Sequence, residues 1–126
     1  MPTPDEIRVF DGPALTKLAW RLGLAPPGAW PWPYDVPSMG VDGACWEPHL
    51  ALAQADAVFR CLRARGWTTS VAWFADDRQH GDVFAATQGR AVGVHWPRDV
   101  PTEALALLRC AVLARASEGD PHDAQR

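Results

Sequence analysis

Apolar positions along this chain follow a helical repeat in some stretches and a two-residue repeat in others, and one such change falls near the middle. In WEPHLALAQADAVFRCLRARGWTTSVAWFA, Trp46 to Ala75, the residues Leu50, Ala53, Ala57, Val58, Cys61 and Leu62 fall close to one helical stripe. Gln54, Asp56, Arg60 and Arg63 lie mainly off it, so the spacing predicts an amphipathic helix. Pro48 after Glu47 suits a first helical turn, where the missing N–H has no partner to lose. Arg60, Arg63 and Arg65 place positive charge near the C-terminal carbonyls, and Gly66 supplies a residue able to close the helix. Thr68, Thr69, Val71, Trp73 and Phe74 then bring the β-branched and aromatic types that favour a strand.

The same reading extends both ways. Residues 1–12 read as a flexible N-terminal arm around Val9 and Phe10, at most an edge strand. Pro13 opens a helix through Leu22, with Leu15, Leu18, Ala19 and Leu22 on one face and Gly23 as its stop. After the central strand, DDRQHGD reads as a hairpin loop. Asp82 to Thr87 is a second strand, Gln88-Gly89-Arg90 a turn, and Ala91 to Trp96 a third strand in which Gly93 marks a bulge or a close approach. A final helix runs from Pro101 to Ala116, with Asp99 and Thr102 as capping candidates. Its middle, ALALLRCAVLA, has the single charge Arg109, so cover on more than one side is expected. The sheet would supply one side, and the Trp/Pro segment or a second copy of the chain the other. The expected fold class is α+β, with a three-stranded antiparallel meander packed against helices in the order α-α-β-β-β-α. It forms a single domain over residues 13–116, followed by a disordered tail at 117–126.

Residues 25–48 interrupt this regularity. They hold six of the chain's twelve prolines and three of its seven tryptophans. Proline at that density removes backbone donors, so an extended loop is expected, either functional or laid over the core. In the functional reading Trp30, Trp32, Tyr34 and Trp46 make a partner-binding surface; in the other, the rings cover the core.

Composition narrows the chemistry. A formal charge of −3 does not favour nonspecific binding along nucleic-acid phosphates. Eleven of the twelve basic residues are arginine, however, which leaves a small anion pocket open, with Arg60, Arg63, Arg65 and Arg90 as its candidates and Arg98 beside them. Cys45, Cys61 and Cys110 form no CxxC pair, and a reducing compartment is the simplest reading. Cys45 and His49 stand four apart without a second pair of metal ligands, so no metal site is expected. No signal peptide or membrane-spanning run is evident, and a cytoplasmic protein is expected.

The order of elements resembles the phage ABA-sandwich family of small phage-encoded domains. The likeness is carried by Trp46-Glu47-Pro48 with the Ala-rich helix through Gly66-Trp67, and by the Pro101 to Leu108 run PTEALALL; it covers roughly residues 15 to 116. The long proline run before Trp46 departs from the pattern. The resemblance implies a phage or prophage accessory protein acting in a bacterial cytoplasm by binding host or defence components, and it carries over no catalytic residue.

Three functions are then in view. The first is a non-enzymatic, cofactor-free counter-defence inhibitor that blocks a bacterial protein through the Trp/Pro segment. The second is a sponge for a small anion or signalling nucleotide, using the arginines at a homo-oligomer seam along the 101–116 helix. The third is a metal-assisted hydrolase centred on Asp76, Asp77, His80 and Asp82, a titratable cluster that also suits a solvated turn. His95, beside Trp96, reads as a packed or surface histidine rather than a base.

Overall fold

The computed structural model of the chain describes residues 2–25, 29–31, 37–39, 44–74 and 77–118. The N-terminal residues expected as an arm contain a short helix, α1 (Pro4–Arg8). Thr3 and Glu6 cap it reciprocally: the Glu6 N–H donates to Thr3 Oγ1 at 3.2 Å and the Thr3 N–H to Glu6 Oε1 at 3.4 Å. Ile7 is fully buried, so the arm is part of the core. Helix α2 (Gly12–Arg21) follows, its Asp11 cap accepting the Ala14 N–H at 2.9 Å. Leu15, Leu18, Ala19 and Leu22 are buried, as their spacing predicts, and Gly23 exits with φ +78°.

The described parts of residues 25–48 include three short strands, more regular backbone than proline density suggests. Strands β1 (Ala29–Pro31), β2 (Pro37–Met39) and β3 (Ala44–Cys45) form a small antiparallel sheet in that order. Strands of two or three residues tolerate proline because few ladder bonds depend on any one N–H.

Helix α3 (Leu52–Ala64) starts later than Pro48. The N–H groups of Leu50 and Ala51 both reach Glu47 O, closing a separate turn, and Ala51 is extended at φ −104°, ψ 112°. Its buried face is Ala55, Val58, Phe59 and Leu62, a clean three-and-four spacing. The stripe through Leu50 and Ala53 is therefore rotated: Leu50 lies outside the helix and is 70% exposed.

Strand β4 (Thr68–Phe74) pairs antiparallel with β5 (Asp77–Thr87), which pairs with β6 (Arg90–Trp96), giving the expected meander. Strand β5 takes in Asp77 to His80, part of the stretch whose composition predicts a hairpin loop. Gly93 answers to a close approach, since a Cβ there would stand 3.2 Å from Phe84 Cε1.

Helix α4 (Glu103–Ser117), capped by Thr102 through the Leu105 N–H at 3.2 Å, is the centre of the molecule. One side packs on β5 and β6, the others on α1, α2 and α3. Small side chains permit that crowding: Ala106, Cys110, Ala111 and Ala114 are fully buried, and Cys110 Sγ lies 3.7 Å from Val92 O. Arg109 fits the core by donating to Phe10 O at 2.6 Å and Asp99 O at 3.2 Å, tying the exit of α1 to the entrance of α4. Along residues 101–116, the expected oligomer seam, the apolar faces of α4 pack against other elements of the same chain.

Candidate functional site

Alternation along the strands gives the β4–β6 sheet two different faces. Toward α4 it presents rows such as Val71, Val83 and Val94, and Trp73, Gly81 and Trp96. Gly81 is required there: a Cβ would overlap the Trp96 ring and the Ala72 carbonyl oxygen. That overlap also places the Ala72 carbonyl on the β5 side of β4. In an antiparallel strand successive residues point their N–H and C=O groups to opposite edges. The amides and carbonyls of Thr69, Val71 and Trp73 therefore point out of the sheet, and among the described residues no strand pairs with them.

Beside this edge lies a cleft of about 400 Å³, lined by Leu52, Ala53 and Asp56 of α3, Val71 and Trp73 of β4, and Glu103 and Leu107 of α4. Trp73 is 43% and Leu52 39% exposed, an unusual investment of apolar surface. The Trp73 indole N–H donates to Glu103 Oε1 at 2.9 Å, holding the ring as one wall. The sequence shows Val71 and Trp73 alternating on a strand and Leu52 and Asp56 one turn apart on a helix. It does not show that β4 is an edge or that α3 leaves room beside it. A second cleft, of about 380 Å³, lies around the start of α4 between Gln79, His80, Trp96, Pro97, Pro101, Thr102 and Glu103.

The residues singled out from sequence are dispersed. Trp46 is 0% exposed, so as a core side chain it does not belong to a partner-binding surface. Trp30 contributes its backbone to β1 while its side chain, with Trp32 and Tyr34, lies outside the described residues. The four arginines do not gather on an anion, because each is taken by a different local acceptor. Arg60 faces Asp56 at 3.5 Å, Arg63 donates to Thr69 Oγ1 at 2.9 Å, and Arg90 donates to Ser117 O at 2.9 Å. Arg65 grips Glu118 through Nη2 at 2.7 Å and Nε at 3.0 Å, and the Trp67 indole N–H donates to the same carboxylate at 2.6 Å. Burial pushes the Glu118 carboxyl up, but the bonds from Arg65 and Trp67 and the charges of Arg65 and Arg115 outweigh it and hold the group below its ordinary value. The first residues of the expected tail are thus anchored; residues 119–126 lie outside the described residues.

The Asp/His cluster also resolves into separate roles. Asp76 and the Asp77 side chain lie outside the described residues. Asp82 and His95 are direct cross-strand partners on the face away from α4, with Oδ1 and Nδ1 2.7 Å apart. Phe74 lies against the imidazole at a centroid distance of 5.5 Å. The His95 N–H donates to Asp99 Oδ2 at 2.8 Å, and that bond, followed by the Arg98 contact, holds Asp99 below its ordinary value against the opposing effect of burial. His49 turns to Thr16, Nδ1 to Oγ1 2.9 Å, and burial lowers its pKa. Among the described residues no three His, Cys, Asp or Glu side chains come together to hold a metal ion. No helix among them is long and apolar enough to cross a membrane.

Comparison with known proteins adds no relative: no family model matches the sequence, and no curated protein or solved structure does.

Proposed function

We propose that the chain is a non-catalytic binding module that takes an extended segment of a partner protein along the open edge of β4. The observation that carries this reading is that, among the described residues, β4 is a sheet edge whose Thr69 and Val71 backbone groups face outward, with an apolar cleft directly beside them. A strand added to an edge gains main-chain hydrogen bonds, and a neighbouring pocket takes every second side chain. The cleft is offset from the Asp82–His95 pair, which lies on the other face of the sheet, so the binding surface and the titratable residues are separate features. The likeness to phage ABA-sandwich proteins supplies the setting: an accessory protein in a bacterial cytoplasm that blocks a host or defence component by occupying its exposed strand or tail.

A displayed library of random linear peptides, panned on the full chain, tests the reading. Peptides enriched on the wild type should lose binding to Val71→Pro, which removes an outward amide without taking a donor from the β5 ladder, and to Trp73→Ala, which removes the cleft wall. Circular dichroism melts of both variants confirm folding. Enriched peptides that bind both folded variants as well as the wild type, or no enrichment at all, would overturn the proposal. So would a dimer in light scattering that Val71→Pro converts to a monomer, because the edge would then be occupied by a second copy.

A further inference from the structure

We infer that the segment taken by β4 carries a carboxylate two positions after its apolar anchor, on the same face of the strand, and that Arg63 receives it; this rests on the reading of β4 as the docking edge. Helix α3 runs back along β4. Its first turns, through Leu52 and Asp56, line the cleft with Val71 and Trp73, and its last turn meets the start of β4, where Arg63 Nη1 donates to Thr69 Oγ1 at 2.9 Å. Leu52, Asp56 and Arg63 stand four and then seven residues apart and so share one face of the helix. The wall that lines the cleft therefore continues to Arg63, about 10 Å beyond Asp56. The charges along this wall differ in how they are met. Asp56 faces Arg60 at 3.5 Å and Glu103 accepts the Trp73 indole N–H, so both acids at the apolar end are engaged. Arg65 is met by Glu118. Arg63 instead gives one of its five N–H donors to a neutral hydroxyl, and among the described residues no carboxylate pairs with it. Its remaining donors suit a carboxylate. In an added strand the residues opposite Val71 and Thr69 both point toward the helices, because directly opposed side chains share a face. Run antiparallel, the more stable pairing, the segment passes Val71 before Thr69. Its apolar anchor enters the cleft, and an aspartate or glutamate two positions later reaches Arg63.

The test uses four capped synthetic peptides of threonine, about eight residues long as befits one strand, each with a central leucine. Three carry a single glutamate, placed two positions after the leucine, two before it or one after it; the fourth carries glutamine two positions after. Isothermal titration against the full chain at low salt should place glutamate two after the leucine first. It should exceed glutamine at that position by about threefold, the size of one exposed ion pair. It should exceed by a similar factor glutamate one after the leucine, which has the same charge but points to the other face. In Arg63→Gln, checked for folding by its circular dichroism melt, the ratio of glutamate to glutamine affinity should fall to about one, and high salt should do the same to the wild type. Equal affinities for the four peptides, all lost in Val71→Pro, would overturn the carboxylate inference and leave the docking edge standing. A glutamate preference that persists in Arg63→Gln, or a first place for glutamate before the leucine, would likewise overturn it. No binding by any of the four would remove both.

Discussion

Replacing Gly81 with alanine isolates the contact that sets the spacing of the tryptophan row. The added Cβ would stand 2.5 Å from Trp96 Cζ2 and 2.5 Å from the Ala72 carbonyl oxygen, with Trp96 Cη2 closer still. Ordinary carbon contacts lie at about 3.5 Å or more, so something must move by roughly 1 Å. Neither neighbour yields easily. Trp96 is 1% exposed and fixed in the core, and Ala72 is held in the β4–β5 ladder. The cost should reach the upper part of the overpacking range, about 2–3 kcal/mol. Loss of glycine's freedom in the unfolded chain returns only about 0.4–1 kcal/mol, so destabilisation wins. For a chain of this size the net corresponds to a fall in Tm of roughly 5–12 °C. Gly93→Ala is the internal control. Its Cβ would meet Phe84 Cε1 at 3.2 Å, but Phe84 is 48% exposed and its ring can swing away. Its stability should stay within about 1 kcal/mol of the wild type. Differential scanning calorimetry on both variants decides: a Gly81→Ala protein as stable as Gly93→Ala would refute the packing argument.

Further outcomes follow from single groups. Burial lowers the His49 pKa below its ordinary 6.5, so the unfolded chain protonates first as pH falls. The stabilisation is complete above 6.5 and disappears as pH drops through the lowered folded value; Tm measured between pH 8 and 5 should show a decline in this window that His49→Gln flattens. Glu118, held below its ordinary 4.5, contributes stability that is present above 4.5 and lost as pH falls through its folded value. Glu118→Gln should therefore melt earlier than wild type at pH 7 and converge on it in acid. Burial pushes the Cys110 thiol up to about 12, so iodoacetamide followed by peptide mass mapping should leave Cys110 unmodified in the native protein and modified in denaturant. Labelling of native Cys110 at the denatured rate would contradict its place beneath the sheet.

The elements of the fold were legible where one physical signal dominated. The α2 stripe, the switch to β-branched residues at Thr68, the Gly89 turn and the apolar α4 run each follow from periodicity or turn chemistry alone, and each recurs in the structure. Boundaries were lost where a local device intervened. Thr3 and Glu6 build a cap that turns an apparent arm into α1, and Glu47 closes a turn that delays α3 to Leu52. The arginines were misleading because sequence gives their number but not their acceptors: Glu118, Ser117 and Thr69 come from segments distant or separately folded. The cleft could not be read at all, since it depends on β4 being an edge and on α3 standing clear of it, and both are tertiary facts. Trp46 illustrates the same limit, a ring that sequence offers as surface and packing assigns to the core.

The most direct measurement is amide hydrogen exchange, read residue by residue by NMR, on the full chain with and without a peptide recovered by panning. The amides of Ser70 and Ala72 are already turned to β5 and should be slow in both states, whereas those of Thr69 and Val71 should exchange quickly alone and slow when the peptide is bound. Unchanged exchange at those two amides under saturating peptide, with protection appearing instead on the opposite sheet face or within residues 25–48, would contradict the account.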